Sequence, residues 1–497
     1  MQEREFIPSP YQQAIFDAWD NTDKNILVNA VAGSGKTRTT LELMKRTPEY
    51  LKGMYVAFNK HIVTEIKEKN PPSNFVIGTL HSRGYQAVAK STRSKLKLDE
   101  WKTFKLIKSH IKDNPSIWKD VQKSKINGKI ASIAEFWNYY RLSNQKDLSG
   151  FKSLVQKYNL NVSNADLPKI EYCIKTLNDY NSRRNNVQEF VIDFIDMIYL
   201  PVYLNLFIEQ VDVLMIDEAQ DLSVIQHDFV KKLLKEGGRQ VVVGDPHQAI
   251  YNFGGSDIES WNKFSEMQNA VQLPLSYCYR CGKNITDKAN MVHNIMESPD
   301  WMEDGIVEED GNLFAVQSGD FILCRNTKPL VELYFKFLEL EKPCYIKGSE
   351  IGVGLAKVLE DYTKLSSKDT ITEMNKELNK IYRELIAHGV QQPQRHGKYI
   401  SYCEKLEIVT LFAWKYDTTL EIIERIKSIF AEDGKGIILS TIHKSKGLEA
   451  DNVYIYLPNL IPSKYAESPI ELEQEANLLY VAITRARKRL IFVKNPF

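Results

Sequence analysis

An apolar run, Ile26-Leu27-Val28, leads into Ala32-Gly33-Ser34-Gly35-Lys36-Thr37, and a helix-compatible stretch follows over 39–45. Strand, glycine loop and helix in that order narrow the fold sharply. Backbone N–H groups of such a loop, and of the first turn after it, converge on one point and suit a phosphate. In the eight-residue window 30–37 the usual first glycine is Ala30, yet Gly33, Ser34 and Gly35 serve the same mechanics. They let the backbone approach, Lys36 meets the β/γ charge, and Thr37 can bind Mg²⁺.

A second element is Val213-Leu214-Met215-Ile216-Asp217-Glu218-Ala219-Gln220. An apolar strand here delivers two carboxylates to its C-terminal end, where open α/β sheets bind ligands. Asp217 can hold the metal or its water, and Glu218 can take a proton from the attacking water. By itself an apolar run ending in Asp-Glu is more often a strand meeting a solvated turn. Paired with the glycine loop it reads as a site that hydrolyses a nucleoside triphosphate. Arginines from elsewhere in the chain can stabilise charge on the transferred phosphoryl group, and Arg280 and Arg485 stand in suggestive surroundings.

Further apolar, β-rich runs at 25–29, 54–58, 75–77, 211–216 and 240–243 predict a parallel sheet covered by helices. A second set at 320–324, 436–439, 452–457 and 490–493 predicts another. Two stretches break this rhythm, 90–190 and about 360–430, both rich in helix formers and long charged side chains. They are expected to be helical insertions. The expected units are a first motor domain in two parts, 1–89 and 191–275, around the insertion 90–190, and a second in two parts, 276–359 and 431–497, around 360–430.

Composition sets limits on partners and compartment. With 497 residues, 43% apolar and 26% charged, the chain reads as a soluble protein of about three compact units. The start, Met-Gln-Glu-Arg-Glu, is too charged for a signal peptide, and the apolar stretch 191–207 contains Asp193 and Asp196, so no membrane partner is expected. The expected location is intracellular, cytoplasmic if the source is prokaryotic or viral. A net charge of +1 rules out a polycationic coat, so any nucleic-acid contact must be local. One patch is visible: residues 90–129 hold 12 Lys/Arg against 4 Asp/Glu. Within it Lys102, Lys105, Lys108 and Lys112 are expected to share one helical face, either solvated or tracking phosphates. The six scattered cysteines form no disulfide framework, and the Cys278-x-x-Cys281 spacing is read as chance.

The order and wording of these segments resemble the UvrD/Rep/PcrA type of superfamily 1 DNA helicases, from about residue 6 to 493 apart from the insertions. Ser9-Pro10-Tyr11-Gln12 resembles the adenine-reading Q motif, and Arg38 matches an arginine that flanks the base. Val56-Ala57-Phe58-Asn59-Lys60 and Gly78-Thr79-Leu80-His81-Ser82 are similar to strand-binding motifs, which implies DNA contacts at Phe58, Asn59, Thr79 and His81. The segment Gly244-Asp245-Pro246-His247-Gln248-Ala249-Ile250-Tyr251-Asn252-Phe253 resembles the link from γ-phosphate to DNA. It implies Gln248 as phosphate sensor and Tyr251 and Phe253 as base-stacking residues, a grip that needs no sequence preference. Phe253 stands where relatives usually carry Trp, and Gly254 where they carry Arg.

Leu275-Ser276-Tyr277-Cys278-Tyr279-Arg280 resembles the opening of the second motor domain, which implies Tyr279 against adenine and Arg280 on the γ-phosphate. Ser440-Thr441-Ile442-His443-Lys444-Ser445-Lys446-Gly447-Leu448-Glu449 is similar to a segment whose Gly447 and Glu449 would face nucleotide and whose Thr441 and His443 would face DNA. Leu479-Tyr480-Val481-Ala482-Ile483-Thr484-Arg485-Ala486-Arg487 completes the set with Arg485 as the implied arginine finger. Phe321-Ile322-Leu323-Cys324-Arg325-Asn326, Pro343-Cys344-Tyr345-Ile346-Lys347-Gly348 and Ile192-Asp193-Phe194-Ile195-Asp196 serve as fold markers, the two aspartates in a helix start or structural turn rather than a metal site.

The resemblance implies an α/β protein of two RecA-like parallel-sheet motor domains with helical insertions and ATP in the cleft between them. It implies an ATP-dependent DNA helicase and single-strand translocase, moving 3′→5′, with ATP and Mg²⁺ as cofactors. Its partners would be single-stranded DNA and single-strand/duplex junctions. Two departures stand out: the second insertion is only about 70 residues long, and the chain ends soon after Ile491-Phe492-Val493. A translocase that strips proteins from DNA with little unwinding, or an ATP-gated recruitment module, are the alternatives.

Overall fold

The computed structural model describes residues 6–57, 60–92, 94–119, 126–144, 148–158, 160, 162–183, 188–250, 260–387 and 392–496. The chain divides into two compact units. The first runs up to Ala30 and from Gly35 to Leu275; the second comprises Val31–Ser34 and the chain from Ser276 onward.

The first unit is built on six strands: β1 Asn25–Ala30, β2 Gly53–Ala57, β3 Phe75–Thr79, β6 Val211–Ile216, β7 Leu234–Gly244 and β8 Ala270–Leu275. Between β3 and β6 a separate pair, β4 Lys95–Leu98 and β5 Glu189–Ile192, forms a two-stranded parallel sheet. The main order is β3-β2-β6-β7-β1-β8, and every pairing is parallel. Ile26, Leu27 and Val28 are all fully buried, as befits a central strand covered on both faces. One face, with Ile26, Val28, Tyr55 and Met215, packs on the helices Pro10–Asn21 and Lys36–Arg46. The other, with Leu27, Val56, Leu214 and Val242, belongs to one continuous core with Ile107, Phe136, Trp137 and Ile170. These come from the helices Lys102–Asp113, Ile126–Ser143 and Leu167–Ser182 of the 90–190 stretch. That stretch is therefore helical but not a detached lobe. Its β4–β5 pair, bringing its two ends together, was not expected from its helix-forming composition.

The expectation for the four lysines is corrected at Lys102. Lys105, Lys108 and Lys112 are exposed, but Lys102 is 4% exposed and its ammonium is paired with Asp196. Steps of three and four residues drift around a 3.6-residue helix, so the first of the four turns inward. It joins Arg141, Asp193, Asp196, Thr103 and Asn181 in a buried polar cluster. Asp193 and Asp196 thus have the structural part expected of them, each also accepting the other's backbone N–H at 3.0 and 2.9 Å.

Among its described residues the second unit has seven strands, β9 Ile306–Glu308, β10 Phe321–Cys324, β11 Cys344–Lys347, β12 Phe430–Ala431, β13 Ile437–Thr441, β14 Ala450–Tyr456 and β15 Ala486–Val493. Their order is β12-β11-β13-β10-β14-β15-β9, again with parallel pairing throughout. The fold class is therefore α/β, with two large parallel sheets besides the small β4–β5 pair. Helices Ser367–Ala387, Gly397–Ala413 and Thr419–Ile429 fill the 360–430 stretch, and their Met374, Phe412 and Ile422 share a core with Ile322, Ile346 and Leu439 of the sheet. Among the described residues, no helix is long and apolar enough to cross a membrane.

Candidate nucleotide and nucleic-acid site

In the first unit β1, β6 and β7 all end on the same edge of the sheet, because the sheet is parallel. Past β1 the chain turns through Gly33 (φ +67°) and Gly35 (φ +81°), conformations that a side chain would strain. Gly35 then caps the helix Lys36–Arg46 with no side-chain hydrogen bond. The first N–H groups of that helix therefore have no side-chain cap, the arrangement an anion uses.

Past β6 comes Asp217, 3% exposed, accepting the Tyr55 hydroxyl at 2.6 Å and the Glu218 N–H at 2.9 Å. Burial, and then the neighbouring Glu218 carboxylate, push the Asp217 carboxyl up to about 6. Glu218 has φ +54°, a left-handed backbone uncommon for a residue with a side chain. Its Oε1 meets the Lys36 ammonium at 2.7 Å. Burial alone would lower Lys36, but Glu218, Asp217 and Asp245 outweigh it and hold the ammonium above its ordinary value.

From Glu218 hydrogen bonds run on in one direction. The Gln220 carboxamide donates to Glu218 Oε2 at 2.6 Å and accepts the Asp245 N–H at 3.1 Å; Gln248 Nε2 donates to Asp245 Oδ2 at 2.8 Å. Gly244, closing β7, makes room for this, since a Cβ there would stand 2.5 Å from Gln220 Oε1. Lys36, Glu218 and Gln248, which lie far apart in sequence, are thus joined through Gln220 and Asp245. Neither Gln220 nor Asp245 has a role legible in its own segment; the Asp-Glu-Ala-Gln and Gly-Asp strings are the signal that marks them. Tyr55, inside an apolar strand run, gave none.

Other expected residues sit as follows. Gln12 is 3% exposed, its Oε1 accepting the Ser9 N–H and its Nε2 donating to Thr39, both at 3.0 Å. Arg38 lies on the same helix and pairs with Glu42 at 3.2 Å. Thr79 caps the helix Leu80–Ser91 by accepting the Ser82 N–H, and the His81 ring, lowered in pKa by burial, meets the half-exposed Phe194 edge-on at 6.1 Å. Phe58, Asn59, Tyr251 and Phe253 lie outside the described residues.

Within the second unit Tyr279 stacks on Trp301, with ring centroids 6.1 Å apart. Arg280 is ion-paired with Glu449, which Arg487 also approaches at 3.6 Å. Arg485 is 1% exposed and donates to the carbonyls of Val481 and Leu448 at 3.0 and 3.1 Å. Thr441 is the N-cap residue of the turn Ile442–Ser445, and Gly447 takes φ +84°. His443 in that turn is held down to about 4, by burial first and then by the Arg325 charge.

Among the described residues no group of three or more His, Cys, Asp or Glu side chains could hold a metal ion. The donors of the first unit still fit Mg²⁺, which is held by one or two hard protein oxygens together with substrate phosphates and water. The buried Asp217 carboxylate is one hard oxygen donor of that kind.

A glycine loop, its lysine and two carboxylates at the carboxyl edge of a parallel sheet define the phosphate-loop class of nucleotide-binding folds. Comparison with known proteins makes this narrower. Residues 11–269, more than half of the chain, match the UvrD/REP helicase N-terminal domain, and residues 436–493 match the UvrD-like helicase C-terminal domain. The chain belongs to the UvrD/REP helicase family. It is similar to the F-box DNA helicase protein 1 of Schizosaccharomyces pombe, 26% identical over 97% of this chain and 56% of that protein. It is similar also to the F-box DNA helicase 1 of Gallus gallus, 24% identical over 97% of this chain and 48% of that one. A probable DNA helicase II homolog of Mycoplasma capricolum is 25% identical over 54% of this chain and 39% of its own length. The chain spans about half the length of the first two relatives.

Proposed function

We propose that this chain is an ATP-dependent DNA helicase and single-strand translocase, stepping 3′→5′ and acting at single-strand/duplex junctions. The observation that carries the reading is the run Lys36–Glu218–Gln220–Asp245–Gln248, which joins the phosphate loop to the segment leading toward Tyr251 and Phe253. Lys36 and the backbone of Gly33, Ser34 and Gly35 would hold the phosphates, and Glu218 would take the proton of the attacking water. Asp217 and Thr37 would hold Mg²⁺, which supplies charge neutralisation at the phosphates. Gln12 and Arg38, with Tyr279, Gly447 and Glu449, would bind the rest of the nucleotide. Gln248, Arg280 and Arg485 would respond to the γ-phosphate. Arg280 and Arg485 first have to exchange their present carboxylate and carbonyl partners for it. DNA would be gripped by Phe58, Asn59, Thr79, His81, Tyr251, Phe253, Thr441 and His443.

The test is ATP turnover with and without single-stranded DNA. Turnover is expected to rise on adding DNA, and to fall by at least ~10²-fold in Lys36→Ala or Glu218→Gln, since phosphate positioning and proton transfer carry such factors. Near-normal turnover in either folded variant would remove the site assignment.

A further inference from the structure

Phe6 lies five residues ahead of the point where the family match begins. Its ring meets Phe16 edge-on at 6.4 Å, and Phe16 is 1% exposed, so Phe6 is anchored to the core of the first unit. Over the Phe6 ring, 4.4 Å from its centroid, stands the guanidinium carbon of Arg38. Arg38 is the second residue after Lys36 on the helix that follows the glycine loop, and its side chain remains 47% exposed. One guanidinium nitrogen pairs with Glu42 at 3.2 Å, and Glu42 is held in turn by Lys45 at 3.1 Å.

These contacts act in different directions. The carboxylate holds one guanidinium nitrogen and the ring lies beneath the guanidinium carbon, so the head group is held at two points. A guanidinium stacks on aromatic planes with either face, so one laid flat on Phe6 would keep its second face for another flat partner. An arginine on an exposed helix surface otherwise samples many rotamers, and ordering it at the moment of binding would subtract from affinity. Gln12 is held by Thr39, the residue that follows Arg38 on that helix.

We infer that Phe6 is a positioning residue for the nucleobase: it holds the Arg38 guanidinium flat, so that the opposite face forms a ready plate for a purine ring. The inference rests on the nucleotide reading above and adds a determinant of base preference to it. A larger π-surface gains more from such a plate, so ATP is favoured over CTP.

The experiment uses the full chain with Phe6→Leu, which keeps apolar packing on Phe16 but removes the aromatic face, and with Phe6→Tyr, which restores that face. Phe6→Leu is expected to raise the KM for ATP about two- to five-fold, the range of a half-exposed cation–π contact, with kcat unchanged. The ratio of kcat/KM for ATP over CTP should fall by a similar factor. Inorganic tripolyphosphate, a competitor with phosphates but no base, should inhibit wild type and Phe6→Leu equally. Phe6→Tyr should behave as wild type, and Phe6→Leu should add nothing in an Arg38→Ala background. Equal weakening toward ATP and tripolyphosphate would make Phe6 a mere prop of the loop and overturn the inference. An unchanged KM and base ratio in Phe6→Leu would overturn it too, while leaving the nucleotide reading intact. A wild-type protein that neither binds nor hydrolyses ATP would sink both.

Discussion

His443 illustrates what burial does to a single side chain. Its imidazole lies near Arg325, itself locked to Glu475 by contacts of 2.7 and 3.1 Å, and holds its proton only below about 4. The unfolded chain would take that proton near the ordinary histidine value of 6.5. Between those values the unfolded state binds more protons than the folded one, so the histidine lowers stability as pH falls through that window. At ~1.4 kcal/mol per unit, the loss amounts to at most about 2 kcal/mol by pH 5. Urea midpoints at pH 7 and pH 5 should draw apart more in wild type than in His443→Asn; equal shifts would mean that His443 titrates as in solvent. Any DNA contact made by His443 near neutrality is then that of a neutral ring. At this scale the sequence was most legible where chemistry demands a fixed string, as in Gly-Ser-Gly-Lys-Thr or the Asp-Glu pair. It was least legible at Tyr55 and Lys102, whose partners Asp217 and Asp196 are 162 and 94 residues distant.

The helices Lys102–Asp113 and Ile126–Ser143 meet the returning chain at 193–196 through charges rather than apolar contacts alone. Arg141, 1% exposed, donates to Asp193 at 2.7 Å and to Asp196 at 2.8 Å, while Lys102 takes the other oxygen of Asp196. Burial would raise Asp193, but Arg141 outweighs it and holds the carboxyl at about 2. Removing one partner of such a buried group strands the others, so Arg141→Met should cost about 3–5 kcal/mol in urea unfolding. A loss under about 1 kcal/mol would show that the carboxylates find other partners. The sheets themselves were readable, because runs such as Ile26-Leu27-Val28 and Val213-Leu214-Met215-Ile216 have too many consecutive apolar residues for a half-exposed strand. The short pair β4–β5 was not, since Lys95-Leu96-Lys97-Leu98 is mostly exposed and owes its form to a partner far along the chain.

For the proposed motor activity, the 90–190 stretch presents the exposed lysines Lys105, Lys108 and Lys112. Opening duplex costs about 1.4 kcal/mol per base-pair step, and lysine–phosphate contacts that help are lost with salt by counterion release. Unwinding by the protein alone is expected to be weak, to prefer 3′-tailed over 5′-tailed duplexes, and to fall faster with salt than DNA-saturated ATPase does. Rates of both, measured from low to moderate salt on the two substrates, check this. Preference for the 5′ tail would reverse the polarity, and strong, salt-insensitive unwinding would show that the short 360–430 stretch is no handicap. If unwinding is absent while streptavidin is still displaced from tailed strands, protein removal becomes the principal activity.

In the proposed nucleotide site, the ion pair between Lys36 and Glu218 would link binding to catalysis. The cation proposed for phosphate and the carboxylate proposed for the attacking water are paired with one another, each partly buried. An incoming triphosphate would compete with Glu218 for the ammonium, and in winning it would release the carboxylate to act as a base. The substrate would then be the key to its own catalyst: the base would become available only once there was a phosphate for it to act upon.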